Sequence, residues 1–256
     1  MLIDTHAHLT DERYGGARDI IAGMAADGLE RVVTVGFDLD SSRAGLRLAE
    51  ENPAVYFTCG FHPSDTGKIT DGDYAELLRL ARHEKCVAIG EIGLDYYYED
   101  TDKPTQKTRL IEQLDVVQES GLPVVFHVRD AYGDFDEIMR THLPKLRAGA
   151  VLHCFSGSKE FAAAYVKQGF YVSFSGSITF KNNVKAAEIV PSIPEDKILV
   201  ETDCPYLTPV PFRGQLNYPA YVRYTAARAA ELRGDSLERL AEYTTANAYR
   251  FYGKMR

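Results

Sequence analysis

The chain has 256 residues, 45% of them hydrophobic and 26% charged, which suits a folded protein with a substantial core. Its 29 basic and 37 acidic residues give a formal net charge of −8, and this balance argues against a protein that coats nucleic acid through a broad basic face. No apolar stretch approaches the roughly 18 residues of a membrane-spanning helix. The first residues lack the pattern of a signal peptide, and the four cysteines form no CxxC pair. We therefore expect a cytoplasmic protein with reduced, buried thiols.

Short apolar runs bounded by turn residues recur along the whole chain. Several of them lack polar alternation, which is typical of parallel strands covered on both faces. The predicted strands span residues 2–3, 31–36, 55–60, 87–91, 123–127, 150–153, 171–174 and 198–201.

Helical patterns separate these runs. The predicted helices span residues 17–27, 41–51, 71–84, 105–120, 134–143, 159–168, 184–190 and 219–232. Residues 40–42 are predicted to cap the second helix. In the fourth helix Leu110, Leu114 and Val117 recur at three- and four-residue spacing and form an apolar face, and Gly121 ends the helix.

Eight strands, each followed by a helix, predict a single (β/α)8 TIM barrel over residues 1–256 with right-handed crossovers. A ninth helix, over residues 236–251, falls outside the alternation and is expected to cap one end of the barrel. A doubly wound open sheet is the alternative fold, although such a sheet usually needs fewer strands.

Side chains that bind metals stand where the predicted strands end. His6 and His8 form a His-x-His pair at the first strand, and alternation points both imidazoles to the same side. Four more such groups end or follow the fourth, fifth, sixth and eighth strands: Glu91, His127, His153 and Asp203. The carboxyl ends of barrel strands surround one mouth, so we expect all six groups to meet there.

Imidazoles and carboxylates are the ligands of Zn²⁺, Mn²⁺ and similar divalent ions, and Mg²⁺ is a further candidate. Six groups are more than one catalytic zinc takes from a protein. We therefore predict two metal ions bridged by a carboxylate, for which Glu91 is best placed. Such a pair can polarise a phosphoryl oxygen and activate water. Asp203 can both bind a metal and accept a proton from the attacking water, so Glu91 and Asp203 are the predicted catalytic residues.

Seven segments resemble, in chain order, motifs of the TatD family of metal-dependent hydrolases. They are Asp4-Thr5-His6-Ala7-His8-Leu9, Gly60-Phe61-His62-Pro63, Gly90-Glu91-Ile92-Gly93-Leu94-Asp95-Tyr96, Pro123-Val124-Val125-Phe126-His127-Val128-Arg129, His153-Cys154-Phe155-Ser156-Gly157, Glu201-Thr202-Asp203-Cys204-Pro205 and Arg213-Gly214-Gln215-Leu216-Asn217. They run from the first strand to the loop after the eighth. Each motif is weak alone, but the ordered set is highly specific.

The resemblance implies an amidohydrolase-like metal barrel from a family of divalent-metal-dependent deoxyribonucleases. By this resemblance, the metal ligands are His6, His8, Glu91, His127, His153 and Asp203, and Glu91 bridges the two metals. Some family members lack the first His-x-His pair. This chain has it, so the complete two-metal site is expected.

Four other residues are candidates for substrate binding. His62 follows the third strand and is expected to contact a substrate phosphate or to support a metal ligand. Arg129 and Arg213 are candidate phosphate contacts. Tyr96 follows Glu91 on the side of the mouth and is a candidate for stacking on a base.

Two further residues lie beside the predicted ligands in the sequence, and we expect them to play different roles. Glu201 lies two positions before Asp203 and can either orient a ligand imidazole or bind metal itself. Alternation turns Cys154 away from the side that His153 faces, so we expect its thiol to pack in the core.

These features favour a phosphodiesterase acting on DNA. The resemblance favours a 3′→5′ exonuclease on single-stranded ends, with cleavage at abasic sites as a close variant. An amide or ester hydrolase, such as an aminoacyl-tRNA deacylase, could use the same metals on a carbonyl group. A scaffold that binds metal without turnover is disfavoured, because it needs none of these ligands. The sequence indicates neither a membrane nor a protein partner.

Overall fold

Eight parallel strands follow one another around a barrel in chain order, each paired with the next. The structure, a computed structural model, describes residues 1–255 and the side chains of all of these except Lys68 and Asp71. The strands are β1 (Leu2–Ala7), β2 (Leu29–Thr34), β3 (Val55–Cys59), β4 (Cys86–Asp95), β5 (Val124–Arg129), β6 (Ala150–Leu152), β7 (Tyr171–Phe174) and β8 (Ile198–Val200). The predicted (β/α)8 barrel is confirmed, and the open doubly wound sheet is wrong.

Helices cover the outside of the barrel. They are α1 (Arg18–Gly23), α2 (Leu39–Glu51), α3 (Asp71–Ala81), α4 (Lys103–Ser120), α5 (Tyr132–His142), α6 (Lys159–Val166), α7 (Ala186–Ile189), α8 (Val222–Arg233) and α9 (Leu237–Phe251). The predicted apolar face of α4 is confirmed, since Leu110, Leu114 and Val117 are buried. Gly121 ends α4 with a positive φ of 66°. None of the described helices is both long enough and apolar enough to cross a membrane.

A buried polar network joins the first strand to the last. Ala7 and Cys204 form an isolated parallel bridge. The backbone N–H and the hydroxyl of Thr202 donate to the two carboxyl oxygens of Asp4 at 2.9 and 2.5 Å. Burial raises the pKa of Asp4 to about 8. Directly after this network, Asp203 N–H donates to His6 C=O at 2.9 Å, which places Asp203 beside the end of β1.

The last helix closes the amino-terminal end of the barrel. Its residues Ala248 and Phe251, with Tyr252 beyond it, pack against apolar side chains of the barrel interior such as Ile3. The Tyr252 hydroxyl donates to Thr5 C=O at 3.0 Å. The capping role predicted for this helix is confirmed, and the opposite mouth is left for the functional groups.

Among the differences from the predicted boundaries are the end of β4 and the cap of α2. β4 continues four residues past Glu91 to Asp95, with a register irregularity against β5 between Ile89 and Ile92. The cap of α2 is Asp38 rather than residues 40–42, because its carboxylate accepts from Ser41 N–H at 2.7 Å and Ser41 completes the capping box.

Candidate metal centre

Four of the predicted metal-binding groups, all imidazoles, converge on the carboxylate of Glu91 at the carboxyl end of the barrel. Glu91 Oε2 lies 3.0 Å from His153 Nε2, 3.5 Å from His127 Nδ1 and 3.8 Å from His6 Nε2. Glu91 Oε1 lies 3.5 Å from His8 Nε2. One buried carboxylate therefore faces two imidazoles from the β1 side and two from β5 and β6, as the prediction of a bridging Glu91 requires.

Asp203 completes the half of the site near β1. Its Oδ1 lies 3.4 Å from His8 Nε2 and 3.7 Å from His6 Nε2. The backbone of Asp203 has a φ of +56°, which non-glycine residues adopt infrequently. Positive φ also occurs at Cys154, which follows β6 and lies beside His153. Strained backbone of this kind is concentrated at functional sites, and here it turns polar groups toward the mouth.

The side chains present fit divalent metal ions. Among the described residues, four sets have ligand atoms within 4.8 Å of one another, and two of them consist wholly of predicted ligands: His6, His8 and Asp203 in one, and Glu91, His127 and His153 in the other. Both ring nitrogens of His6 are buried and lack a hydrogen-bond partner among the described residues. Buried polar atoms are ordinarily paired, so a cation next to Nε2 would account for one of these two orphaned nitrogens. The nitrogen and oxygen donors suit Zn²⁺ or Mn²⁺.

Electrostatics across the cluster hold Glu91 ionised. Burial would raise the pKa of Glu91, but the neighbouring imidazoles, led by His6 and His153, bring it well below its ordinary value. Burial lowers the pKa of His6, and His153 adds to that effect. Glu91 is therefore ionised, which is the state in which a carboxylate binds a metal.

Two further carboxylates orient the ligand imidazoles. His127 Nε2 donates to Asp95 Oδ2 at 2.9 Å, so its Nδ1 is left for the site. His153 Nδ1 donates to Glu201 Oε1 at 3.3 Å, and Glu201 also accepts from Cys154 N–H at 2.7 Å. Of the two roles considered for Glu201, the geometry supports the orientation of a ligand imidazole, because Glu201 lies on the side of His153 away from Glu91. Carboxylates in this position fix the tautomer of a ligand histidine.

Asp95 is a site residue that sequence reasoning missed, although a signal was available. It lies four residues after Glu91, and alternation along a strand puts both side chains on one face. The prediction ended β4 at Glu91 and so left Asp95 out. Between them Gly93 has a φ of +151°, and a Cβ there would lie 1.8 Å from His127 C=O. This close approach of β4 to β5 brings Asp95 to His127.

Two cavities open above the metal-binding groups and share His127, Arg129, His153, Asp203 and Tyr206. The first, of about 500 Å³, is bordered by residues that end or follow β5, β6, β7 and β8, and we call it the β5–β8 cavity. The second, of about 350 Å³, is bordered by residues in or after β1, β2, β3 and β4, and we call it the β1–β4 cavity. The metal-binding groups thus lie at the junction of two spaces.

The structure brings two of the predicted substrate contacts to this mouth. His62 borders the β1–β4 cavity, and its ring meets that of His127 edge to face with centroids 4.4 Å apart. His62 Nδ1 accepts from Ser64 N–H at 3.1 Å, which leaves Nε2 to carry the proton. Burial and the neighbouring His127 lower the pKa of His62 to about 3. Arg129 borders both cavities and stacks on Tyr97, with its guanidinium carbon 3.5 Å from the ring centroid.

Tyr96 and Arg213, the other two predicted substrate contacts, do not border either cavity. Tyr96 points away from the mouth, since its hydroxyl donates to Asp134 on α5 at 2.7 Å and Lys103 lies over its ring. Arg213 is exposed at the rim, where it stacks on Phe180. Cys154 borders the β5–β8 cavity instead of packing in the core, because its positive φ breaks the alternation that the prediction assumed.

A (β/α)8 barrel with four imidazoles and two carboxylates gathered at the carboxyl ends of its strands defines a metal-dependent hydrolase. The family described as TatD related DNase matches residues 3–253. The chain therefore belongs to this family, as the sequence motifs indicated.

Relatives of known sequence and structure agree with this assignment. The chain is 43% identical over 253 residues to the uncharacterized metal-dependent hydrolase YabD of Bacillus subtilis strain 168, covering 98% of this chain and 99% of the relative. It is 33% identical over 259 residues to the 3′-5′ ssDNA/RNA exonuclease TatD of Escherichia fergusonii, covering 98% and 99%. The crystal structure of YJJV, a TatD homolog from Escherichia coli K12, superimposes with a TM-score of 0.92 at 29% identity, covering 98% of each chain.

Proposed function

We propose that this hydrolase is a divalent-metal-dependent phosphodiesterase that degrades single-stranded nucleic acid from its 3′ end. The observation that carries the proposal is the carboxylate of Glu91, within 3.0–3.8 Å of four imidazole nitrogens. A relative named as a 3′-5′ ssDNA/RNA exonuclease, matched over 98% of this chain, supports the substrate class. The same name makes RNA a substrate to test beside DNA.

We assign the metal ligands as His6, His8, Glu91, His127, His153 and Asp203. Two divalent ions bound there would polarise a phosphoryl oxygen and lower the pKa of the attacking water. Asp95 and Glu201 hold the imidazoles of His127 and His153 in position through hydrogen bonds on the far side of these two rings. Mixed nitrogen and oxygen ligation makes Zn²⁺, Mn²⁺ and Mg²⁺ the ions to test.

The protein's own groups do the remaining chemistry. The carboxylate of Asp203 borders both cavities, so it can take the proton that water loses when it attacks phosphorus. Arg129 borders the same two cavities and can bind a non-bridging phosphate oxygen. His62, protonated at Nε2, can donate a hydrogen bond to the phosphate from the β1–β4 cavity.

The test uses metal-reconstituted protein and a panel of labelled substrates: single-stranded DNA and RNA, duplex DNA, duplex DNA with one abasic site, and an aminoacyl ester. We expect 5′-mononucleotides to be released from the 3′ end of single strands, and chelator to abolish the reaction. Cleavage only at the abasic site would move the substrate to damaged duplex. Turnover of the ester alone would replace the phosphodiesterase with a deacylase.

A further inference from the structure

The β5–β8 cavity extends from the metal-binding groups to the loop that follows β7. Its near wall contains His153 and Asp203, and its far wall contains Phe180, Asn182 and Asn183. A group bound at Glu91 and Asp203 therefore has a cavity of about 500 Å³ beside it, large enough for a planar heterocycle. None of the proposed catalytic roles uses that far wall.

The far wall is held in place before any ligand arrives. Phe180 N–H donates to Ser177 C=O at 3.1 Å, and Asn183 N–H donates to Phe180 C=O at 3.0 Å. The loop after β7 also packs tightly against the loop after β8, because a Cβ on Gly176 would lie 2.1 Å from Leu207 C=O. Preformed walls bind a flat group at a lower entropic cost than flexible ones.

The chemistry of this wall suits a nucleotide. Arg213 lies over the ring of Phe180, with its guanidinium carbon 3.6 Å from the ring centroid, and Phe180 also borders the cavity. Arg129 borders this cavity as it borders the β1–β4 cavity. Among the described residues, neither arginine forms an ion pair within 4.0 Å of a carboxylate, although Arg129 is close enough to help lower the pKa of Asp95. The amide of Asn182 adds hydrogen-bonding groups of the kind that read base edges.

The β1–β4 cavity offers a poorer place for a base with its phosphates. Carboxylates of Asp65, Glu91 and Asp95 border it, and its aromatic lining includes Phe37 and Tyr98 beside the rings of His8 and His62. The contrast in charge between the two cavities favours the β5–β8 side for a nucleotide.

We infer that the β5–β8 cavity is a nucleobase site, in which Phe180 stacks on the base of a nucleotide that flanks the scissile phosphate. This inference rests on the proposed action on single-stranded nucleic acid. It transfers to Phe180 the stacking role that the sequence suggested for Tyr96, whose hydroxyl is bound to Asp134. Stacking on a ring tolerates any base, so it also accounts for cleavage without strong sequence preference.

The test compares three short single strands: one normal, one with an abasic analogue at the 3′-terminal nucleotide, and one with it at the penultimate nucleotide. Each is cleaved by wild type, by Phe180→Ala, and by Phe180→Leu, which keeps bulk without an aromatic face. Phe161→Ala is the control, because Phe161 is also half-buried but stacks on Tyr165, on α6.

We expect removal of the base at one of the two positions to lower kcat/KM of wild type about tenfold. On the normal strand, kcat/KM of Phe180→Ala should be lower than that of wild type by a similar factor. On the sensitive abasic strand, Phe180→Ala and wild type should have equal kcat/KM. Phe180→Leu should give intermediate values. Equal losses for Phe180→Ala on all three strands would overturn the nucleobase site while leaving the exonuclease intact. If wild type cleaves none of the single strands, the proposed function itself fails.

A binding measurement separates stacking from turnover. In an Asp203→Asn background, 2-aminopurine placed at the sensitive position should change its fluorescence on binding, and Phe180→Ala should remove that change. An unaltered fluorescence response in the Phe180→Ala variant would also count against the site.

Discussion

His127 donates from Nε2 to Asp95 Oδ2 across 2.9 Å, while its Nδ1 faces Glu91 Oε2 at 3.5 Å. The two nitrogens of one ring thus have separate partners. The hydrogen bond to Asp95 places the proton on Nε2 and leaves the lone pair of Nδ1 for a metal. Asp95 is therefore a positioning residue whose effect is exerted through His127.

Removing the Asp95 carboxylate should weaken metal binding. Asp95→Asn keeps an acceptor but loses the charge, and Asp95→Ala loses both, so we expect metal affinity to fall in that order, by about 10- to 100-fold for the alanine variant. Competition with a chromophoric chelator measures the dissociation constant. Asp134→Asn is the matched control, since Asp134 accepts from Tyr96 outside the site. Equal affinities in all four proteins would contradict the role of Asp95.

Glu91→Ala should lower the number of bound metals. Because one carboxylate faces imidazoles from both halves of the site, its loss removes a ligand from each half at once. Elemental analysis after dialysis against buffered metal should give about two ions for wild type and one or none for Glu91→Ala. A variant that still holds the wild-type number would show that Glu91 does not bridge.

Asp203→Asn should act mainly on the rate of catalysis. The amide keeps the shape of the side chain but cannot accept a proton, so we expect kcat to fall about a hundredfold or more while KM changes little. Steady-state kinetics on a labelled single strand at saturating metal provide the measurement. If kcat of Asp203→Asn stays within about twofold of wild type, Asp203 is not the proton acceptor.

The barrel could be predicted from sequence because parallel strands buried on both faces leave apolar runs that helical patterns separate. β4 was predicted too short for the same reason. Its last four residues include Gly93 and the polar Asp95, which interrupt an apolar run, yet the strand continues because their backbone still pairs with β5. In β1, which was predicted over residues 2–3 only, the polar residues from Asp4 to His6 likewise hid the rest of the strand, and their burial depends on partners about 200 residues away, such as Thr202.

The metal-binding groups could be predicted because each ends or follows a strand, and the fold alone brings strand ends together. The position of Tyr96 could not be predicted in that way. It lies one residue beyond β4, where alternation no longer fixes direction, and contacts with Lys103 and Asp134 on neighbouring helices decide it. The position of Cys154 was predicted wrongly for a related reason, since its positive φ is a property of the folded loop.

His62 should remain neutral well below the pH at which histidine ordinarily titrates. Burial, with the nearby His127, lowers its pKa from 6.5 to about 3. Between these values the unfolded chain takes up a proton that the folded protein excludes. The corresponding part of the stability is therefore complete above about pH 6.5 and is lost as the pH falls toward 3.

Two measurements check this expectation on metal-free protein. Nitrogen NMR should find His62 protonated at Nε2 and unprotonated at Nδ1, with no titration between pH 8 and pH 5. Urea unfolding should show that His62→Gln loses less stability than wild type over the same interval. A His62 signal that titrates near pH 6.5 would refute the assignment.

Affinity for single strands should depend only weakly on salt. The net charge is −8, and the arginines available to phosphates at the mouth are Arg129 and Arg213. Contacts to two or three phosphates give a slope of log affinity against log salt of about −1.4 to −2.1 for a single strand. The measurement is binding of Asp203→Asn to a short labelled strand between low and moderate salt.

Two variants test the contribution of a single arginine. Arg213→Gln should make the slope shallower by about 0.7, whereas Arg140→Gln, which removes the partner of Asp136 on α5, should leave it unchanged. A slope steeper than about −5 would require an extended basic track and would refute binding through the metals and a few phosphates.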